Sequence, residues 1–264
     1  MIGRIVAIAA LSFREASRNR ILYALLAVTV LAILASYVLG LAAGSDPARR
    51  AKVMADFGLS AVAFFAAIVS IFVGTTLVYS EIEKRTVYAV LARPVGRAEL
   101  VLGKYAGLLV LLLVVVSLSG GLFLGFIALA GVDVTLDIAS VLAYTYLEVA
   151  VVTAVAILFS TVAHPIEGAV FAFVVYLAGH ATASLKDLGA DVVRDYPGPL
   201  TRVLEKVLYA LYVALPNLEN FNVRAAAVHG LPLPVPGGLA VAYAALYASI
   251  LLALACLAFR RRTL

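Results

Sequence analysis

The chain has 264 residues, of which 64% are hydrophobic and 13% are charged, and its net charge is +5. Soluble domains have roughly 45–50% apolar and about 25% charged residues, so this composition excludes a soluble globular protein. Six membrane spans of about 20 residues, with their connections, use the whole length. We therefore expect one transmembrane domain, residues 1–264, that is all-α and polytopic.

The positive charge does not indicate nucleic acid, because the Lys and Arg residues lie mainly beside apolar runs, as membrane topology requires. Cys256 is the single cysteine, and the three histidines are scattered along the sequence. Neither a disulfide nor a metal site is therefore expected within one chain.

Residues 1–20 predict an amphipathic helix that lies flat on the inner leaflet, because helical spacing separates apolar from charged side chains. The apolar side holds Ile2, Ile5, Val6, Ala9, Phe13 and Ala16, and the charged side holds Arg4, Arg14, Glu15 and Arg18. A basic face with an apolar back is typical of an interfacial helix. The alternative is that this segment extends the first span.

Several runs with few or no charges are long enough to cross a hydrocarbon core of about 30 Å. These six candidate spans are approximately residues 22–43, 59–79, 105–130, 138–163, 168–184 and 238–259. The fifth is near the lower limit of length and is a candidate for a partly re-entrant helix. An extra span is the main alternative to this count.

Short segments rich in Lys and Arg stay in the cytoplasm, and this rule predicts the orientation. An even number of spans places three basic segments on one side: the N-terminal segment, residues 80–104 and the C-terminal tail. We expect that side to be the cytoplasm, with both termini there, and the membrane to be the plasma membrane.

The most distinctive segment is YSEIEKRTVYAVLARPVGRAELVLGKYAG, residues 79–107. A helix over residues 81–92, a turn at Pro94 and Gly96, and a second helix from about Ala98 predict a charged cytoplasmic hairpin, residues 80–104. The simpler alternative is a solvated connector whose charges serve topology alone.

The run E-I-E-x-R-T followed by L-x-x-P-x-x-R-x-E-x-x-x-G-K closely resembles the type-2 ABC permease family, the membrane subunits of many ABC exporters. Residues 12–20 resemble the interfacial N-terminal helix of that family. Residues 215–222, LPNLENFN, resemble a segment of one branch, which includes the permease of the copper-site maturation system of nitrous oxide reductase.

The resemblance implies a homodimer, or a heterodimer with a similar permease, on cytoplasmic ABC ATPase subunits. The side chains that it assigns to ATPase coupling are Glu81, Glu83, Lys84, Arg85 and Arg97. Residues 98–105 lack the first glycine and the final Ser or Thr of a phosphate loop. We therefore expect ATP and Mg²⁺ on the partner ATPase, and no cofactor and no enzymatic activity on this chain.

Glu148 lies near the middle of the fourth run, where an ionisable side chain costs at least about 2.5 kcal/mol unless it is paired, protonated or facing water. It is a candidate residue of the translocation path or of the subunit interface. The alternative is a protonated packing residue that is hydrogen-bonded to Tyr144 or Tyr146.

Small residues at four-residue spacing let helices approach closely. Ser36, Gly40 and Gly44 form such a row and are the candidate dimer contact. Packing within one chain is the alternative for all three positions.

Residues 185–237 are expected to form an external loop with one short helix from Pro199, and they are a candidate surface for an external partner. The first functional hypothesis is the permease subunit of an ABC exporter. A stand-alone secondary transporter or channel would usually carry several ionisable residues at mid-membrane, where this chain has Glu148. A third hypothesis is a mechanotransmitting assembly subunit, which passes ATPase motion to the external partner.

Overall fold

A computed structural model describes residues 2–83, 96–129, 138–196 and 198–261, and within these ranges the regular elements are all helical. In chain order they are α1 (Ile2–Ser17), α2 (Arg20–Ala42), α3 (Pro47–Glu83), α4 (Arg97–Leu129), α5 (Ile138–Val162), α6 (Pro165–His180), α7 (Thr182–Asp195), α8 (Pro199–Ala214), a 3₁₀ helix (Leu218–Phe221), α9 (Arg224–His229) and α10 (Gly237–Arg261). The all-α polytopic prediction is confirmed.

Five of these helices, α2, α3, α4, α5 and α10, are long and apolar enough to cross a membrane. The sixth predicted span is α6, an apolar helix of 16 residues, which is about 24 Å long. His164 and Pro165 start α6 in an abrupt turn after α5, where the His164 backbone N–H donates to the Glu167 carboxylate at 3.4 Å. The chain therefore turns tightly between the fourth and fifth candidate spans.

The bundle is built around α3 and α5, which are its most buried membrane-length helices, whereas α2 and α10 lie at its periphery. A hydrogen bond between Ser70 Oγ and Thr153 Oγ1, 2.8 Å long, joins the two central helices inside the core. Around this pair the core is formed by Val, Leu, Ile, Ala and Phe side chains from α3, α4, α5 and α6.

One end of the bundle, here called the terminal end, collects the start of α1, the end of α3, the start of α4 and the end of α10. Arg97 at the start of α4 donates to the carbonyl oxygens of Phe259 and Arg260, at 2.8 and 3.1 Å. Arg4 lies 3.8 Å from the Glu99 carboxylate. The opposite end collects α7, α8, α9 and the 3₁₀ helix, and there His229 on α9 meets Asp56 on α3.

α1 is a helix separate from α2, because the chain leaves helical geometry before Arg20 and Asn19 caps α2 through its side chain. It lies along the first turns of α4 in the same direction. Gly103 and Gly107 on α4 make this close approach possible, since a Cβ at Gly107 would lie 2.4 Å from the Ala9 carbonyl oxygen. This glycine pair near the start of α4 thus contacts α1 of the same chain.

The small-residue row of α2 packs inside the chain. Ser36 is fully buried, and a Cβ at Gly40 would lie 2.4 Å from Met54 Cγ on α3. Gly44 follows the end of α2 with φ of +112°, a left-handed conformation that favours glycine. Packing within one chain therefore describes Ser36 and Gly40 in this structure, and Gly44 serves the turn into α3.

Candidate functional site

A furrow runs along α3, with α2 on one side and α6 on the other. Two cavities follow one another in it, and their α3 linings are separated by less than one helical turn, between Phe65 and Ile68. From Phe57 in the first cavity to Phe72 in the second, the furrow extends about 23 Å along the helix axis.

The first cavity, here called the Arg224 cavity, lies toward the opposite end and has a volume of about 670 Å³. Its lining combines aromatic walls with a few polar groups. The lining residues are Ala32, Asp56, Phe57, Ser60, Ala61, Phe64, Phe65, Tyr176, His180, Asn222, Arg224 and Ala225. A mostly apolar pocket with a few convergent polar groups is the usual form of a small-molecule site.

The second cavity, here called the Phe72 cavity, lies toward the terminal end and has a volume of about 570 Å³. Its lining is almost wholly apolar, with Thr75 and Thr76 as its polar members. Both threonine hydroxyls donate to carbonyl oxygens of their own helix, at Ile71 and Phe72 respectively. The cavity therefore offers a ligand an apolar surface, because both threonine hydroxyls donate within α3.

Glu148 lies behind the wall of the Arg224 cavity. Its side chain is 1% exposed, and its Oε1 is 3.4 Å from His180 Nε2, while His180 itself lines the cavity. The other ring nitrogen of His180, Nδ1, lies 3.1 Å from the Tyr176 carbonyl oxygen. The partner that both sequence alternatives missed is thus a histidine on the next helix. Tyr144 and Tyr146 bond elsewhere, to the carbonyl oxygens of Val235 and Leu109.

Residues 215–223 fold back into the bundle over the end of α6. Leu218, Phe221 and Val223 are buried, and the backbone N–H of Asn217 donates to the Tyr243 hydroxyl at 2.8 Å. A Cβ at Gly179 would lie 2.8 Å from the Pro216 carbonyl oxygen, so only glycine permits this contact. The segment closes the bundle above the Glu148–His180 pair.

A family model described as ABC-2 family transporter protein matches residues 13–179. The chain belongs to this family. It is a membrane-embedded permease subunit of an ABC transporter, and this membership replaces the alternative of a stand-alone secondary transporter or channel. The finer resemblance to the nitrous oxide reductase maturation branch stays a prediction. Among proteins with curated annotation, none matches the chain significantly.

The matched region of this ABC-2 permease contains a buried lysine whose burial was not predicted from the sequence. Lys104 is 2% exposed, donates to the Leu77 carbonyl oxygen on α3 and lies 4.0 Å from the Glu15 carboxylate on α1. It therefore joins α1, α3 and α4. The signal was present in the sequence, since Gly103 and Lys104 close the motif that carries the family resemblance.

The predicted coupling residues of the permease fall at the terminal end. Glu81 and Glu83 belong to the last turn of α3, which runs unbroken from Pro47 and contains the first residues of the predicted 81–92 helix. Lys84 and Arg85 lie outside the described residues. Arg97 starts α4 about where the second hairpin helix was expected, and its guanidinium lies 5.6 Å from the Phe259 ring centroid.

The long connection of residues 185–237 forms more structure than the single predicted helix. α8 begins at Pro199 as expected, and α7 precedes it as a second arm. α8 buries none of its side chains in this chain, although most of its apolar residues have helical spacing. The Ala214 carbonyl oxygen at its end accepts from the Tyr247 hydroxyl on α10 at 2.6 Å, so the foot of the α7–α8 hairpin reaches into the bundle.

Proposed function

We propose that this chain is the permease subunit of an ABC exporter, that two copies or two similar permeases face each other, and that the furrow forms half of the translocation path. The observation that carries this proposal is the furrow itself. It runs along the same helix, α3, that continues past the Phe72 cavity to Glu81 and Glu83. One helix therefore connects the proposed path with the proposed coupling segment.

The proposed orientation places the terminal end in the cytoplasm of the plasma membrane, with both termini there. Basic residues of the short segments at this end support it, because such residues are retained on the cytoplasmic side. They are Arg4, Arg14, Arg18, Arg20, Arg97 and Arg260. α1 presents exposed apolar side chains, such as Ile2 and Leu11, beside its arginines, which suits a helix at the membrane surface.

The proposed coupling segment is residues 80–104. Glu81, Glu83, Lys84 and Arg85 would contact a groove on a cytoplasmic ABC ATPase, which binds ATP and Mg²⁺ and supplies the energy. Arg97 would hold the end of α10 beside that contact, since its hydrogen bonds already join the two elements. Motion of the ATPase would then reach α3, α4 and α10 together.

The test is reversal of charge at the coupling segment. The double variant Glu81→Lys/Glu83→Lys should insert normally, lose co-purification with the ABC ATPase or its transport-stimulated activity, and stop ATP-dependent uptake of substrate into inside-out vesicles. The matched control is Glu205→Lys on the exposed face of α8, which should leave coupling unchanged. Unaltered coupling in the double variant would contradict the proposal, and so would nucleotide hydrolysis by the purified permease alone.

A second candidate function, an assembly subunit that transmits motion to an external partner, is favoured by the α7–α8 hairpin. Exposed apolar residues on α8 include Leu200, Val203 and Val213, and no side chain of α8 is buried in the described part of the chain. Deletion of the hairpin tip separates the two functions. Loss of partner activity with unaltered solute flux in vesicles would favour the assembly subunit, whereas loss of flux would favour the exporter.

A further inference from the structure

The Arg224 cavity contains one cation that is available to a ligand. Nε of Arg224 donates to Asn222 Oδ1 at 2.9 Å, while its terminal nitrogens bond to none of the described residues. Asn222 in turn donates to the Glu219 carboxylate at 2.9 Å. These two hydrogen bonds hold the guanidinium at the cavity. A guanidinium with two free terminal nitrogens matches a phosphate or carboxylate with two parallel hydrogen bonds.

The acidic groups near this cavity each face a group of the protein, Glu219 facing Asn222 and the other two facing histidines. Asp56 on the rim lies 3.2 Å from His229 Nε2, and Glu148 behind the wall lies 3.4 Å from His180 Nε2. No carboxylate of the described residues lies within 4 Å of the Arg224 guanidinium, so no direct ion pair neutralises the charge of Arg224. The surrounding Phe57, Phe64 and Tyr176 leave that charge in apolar surroundings, where an anion gains most from it.

The apolar furrow continues from this cation toward the terminal end. Phe57 and Phe64 are about two-fifths exposed, and Phe72 in the next cavity is exposed to a similar degree. The lining of the Phe72 cavity then supplies Ile68, Ile166 and Phe173 without a charged side chain. A ligand that places an anion at Arg224 can therefore lay a long hydrocarbon chain along α3.

We propose that the furrow binds an anionic membrane lipid, with its headgroup phosphate on the Arg224 guanidinium and an acyl chain along α3 through both cavities. As the substrate class of the exporter, this lipid rests on the proposed function. The binding site itself does not, and the experiment below measures binding without ATPase or export. Failure of the exporter proposal and failure of lipid binding are therefore distinguishable.

The experiment uses the absence of tryptophan from the sequence. A Phe64→Trp variant places a single fluorophore in the Arg224 cavity, and a Leu246→Trp variant places one on an exposed position of α10. Each full-length variant is reconstituted in phosphatidylcholine vesicles that contain a small fraction of phosphatidylglycerol. The acyl chains of one lipid or the other are brominated, and the quenching of each tryptophan reports which lipid lies beside it.

We expect the tryptophan at position 64 to be quenched preferentially by brominated phosphatidylglycerol, and the one at position 246 to show no preference. Adding Arg224→Gln should weaken the preference roughly tenfold or more, because a hydrogen-bonded charge is lost. Arg224→Lys should retain part of it, since the charge remains without the planar fork. Arg202→Gln on the exposed helix α8 should not reduce it.

Equal quenching by the two lipids at position 64 would overturn the proposal, as would equal losses in Arg224→Gln and Arg202→Gln. Inorganic phosphate added to the buffer distinguishes a small-anion site: if it abolishes the preference at low millimolar concentration, the ligand is a free anion and the lipid proposal fails. Should Arg224→Gln not fold, as judged by gel filtration, the comparison of positions 64 and 246 with intact Arg224 decides the question.

Discussion

The contact between α1 and α4 provides the sharpest test of the fold, through the substitution Gly107→Ala. A Cβ at this position would lie 2.4 Å from the Ala9 carbonyl oxygen and 2.9 Å from Ser12 Cβ. The Ala9 carbonyl oxygen belongs to the backbone, so the clash cannot be relieved by rotation of a side chain, and α1 must move away from α4. The matched control is Gly121→Ala on the same helix, where a Cβ would meet nothing within 4 Å.

The expected size of the effect follows from the difference between the two variants. Both gain the same preference of alanine over glycine in a helix, about 0.5–1 kcal/mol, so that gain cancels. Gly107→Ala alone carries the cost of overpacking, typically about 1–3 kcal/mol. For a chain of this size, about 2–4 °C per kcal/mol is expected. The apparent Tm of Gly107→Ala should thus be roughly 2–12 °C below that of Gly121→Ala.

The assay is thermal unfolding of the purified protein in detergent, followed by tyrosine fluorescence at one fixed heating rate because membrane proteins often unfold irreversibly. Limited trypsin digestion gives a second readout. Arg14 and Arg18 are exposed residues at the end of α1, and cleavage there should accelerate in Gly107→Ala only. Equal apparent Tm values and equal cleavage rates in the two variants would refute the placement of α1 against α4.

Three further predictions follow from buried contacts. Lys104→Met should lower the apparent Tm and speed cleavage of α1, because the Leu77 carbonyl oxygen loses a donor, a cost of about 1–3 kcal/mol; unchanged cleavage would count against its linking role. His180→Ala should destabilise the protein more than Glu148→Gln in the same thermal assay, since it leaves a buried carboxylate without the base that faces it. Gly179→Ala should displace residues 215–223, whereas Gly168→Ala should not. A cysteine introduced at Val223 in a Cys256→Ser background should therefore react faster with a membrane-impermeant maleimide in the first variant only.

The apolar runs of the sequence predicted the membrane-length helices well, because in lipid every backbone polar group must be satisfied within its own segment. Their bounds were predicted less well, since α3 begins at Pro47 rather than near residue 59 and α4 at Arg97 rather than near residue 105. Pro165 and Pro199 each begin a helix, as proline at the first helical position favours. The long connection was predicted less fully, because α7 is polar on average, although Leu185, Leu188 and Val192 keep helical spacing in its sequence.

The candidate site was less accessible to sequence reasoning than the fold. Glu148 was recognised because an ionisable side chain is energetically costly within a membrane span. Its partner His180 is 32 positions further along the chain, and only the antiparallel packing of α5 and α6 brings the two side chains together. The same holds for Arg224 and Asp56, which line one cavity from helices far apart in sequence. The burial of Lys104 could not be predicted from the sequence either, because the charged residues at the start of its helix are typical of a solvent-exposed segment.

The unbroken course of α3 has a mechanical consequence. Its 37 residues contain no proline after Pro47, so the helix behaves as a stiff rod of about 55 Å. Core packing at Ser70 and Thr153 holds it near its middle. If the proposed ATPase contact displaces Glu83, a rigid α3 held at Ser70 moves Asp56 and the aromatic wall in the opposite direction, without any relay of side chains between them.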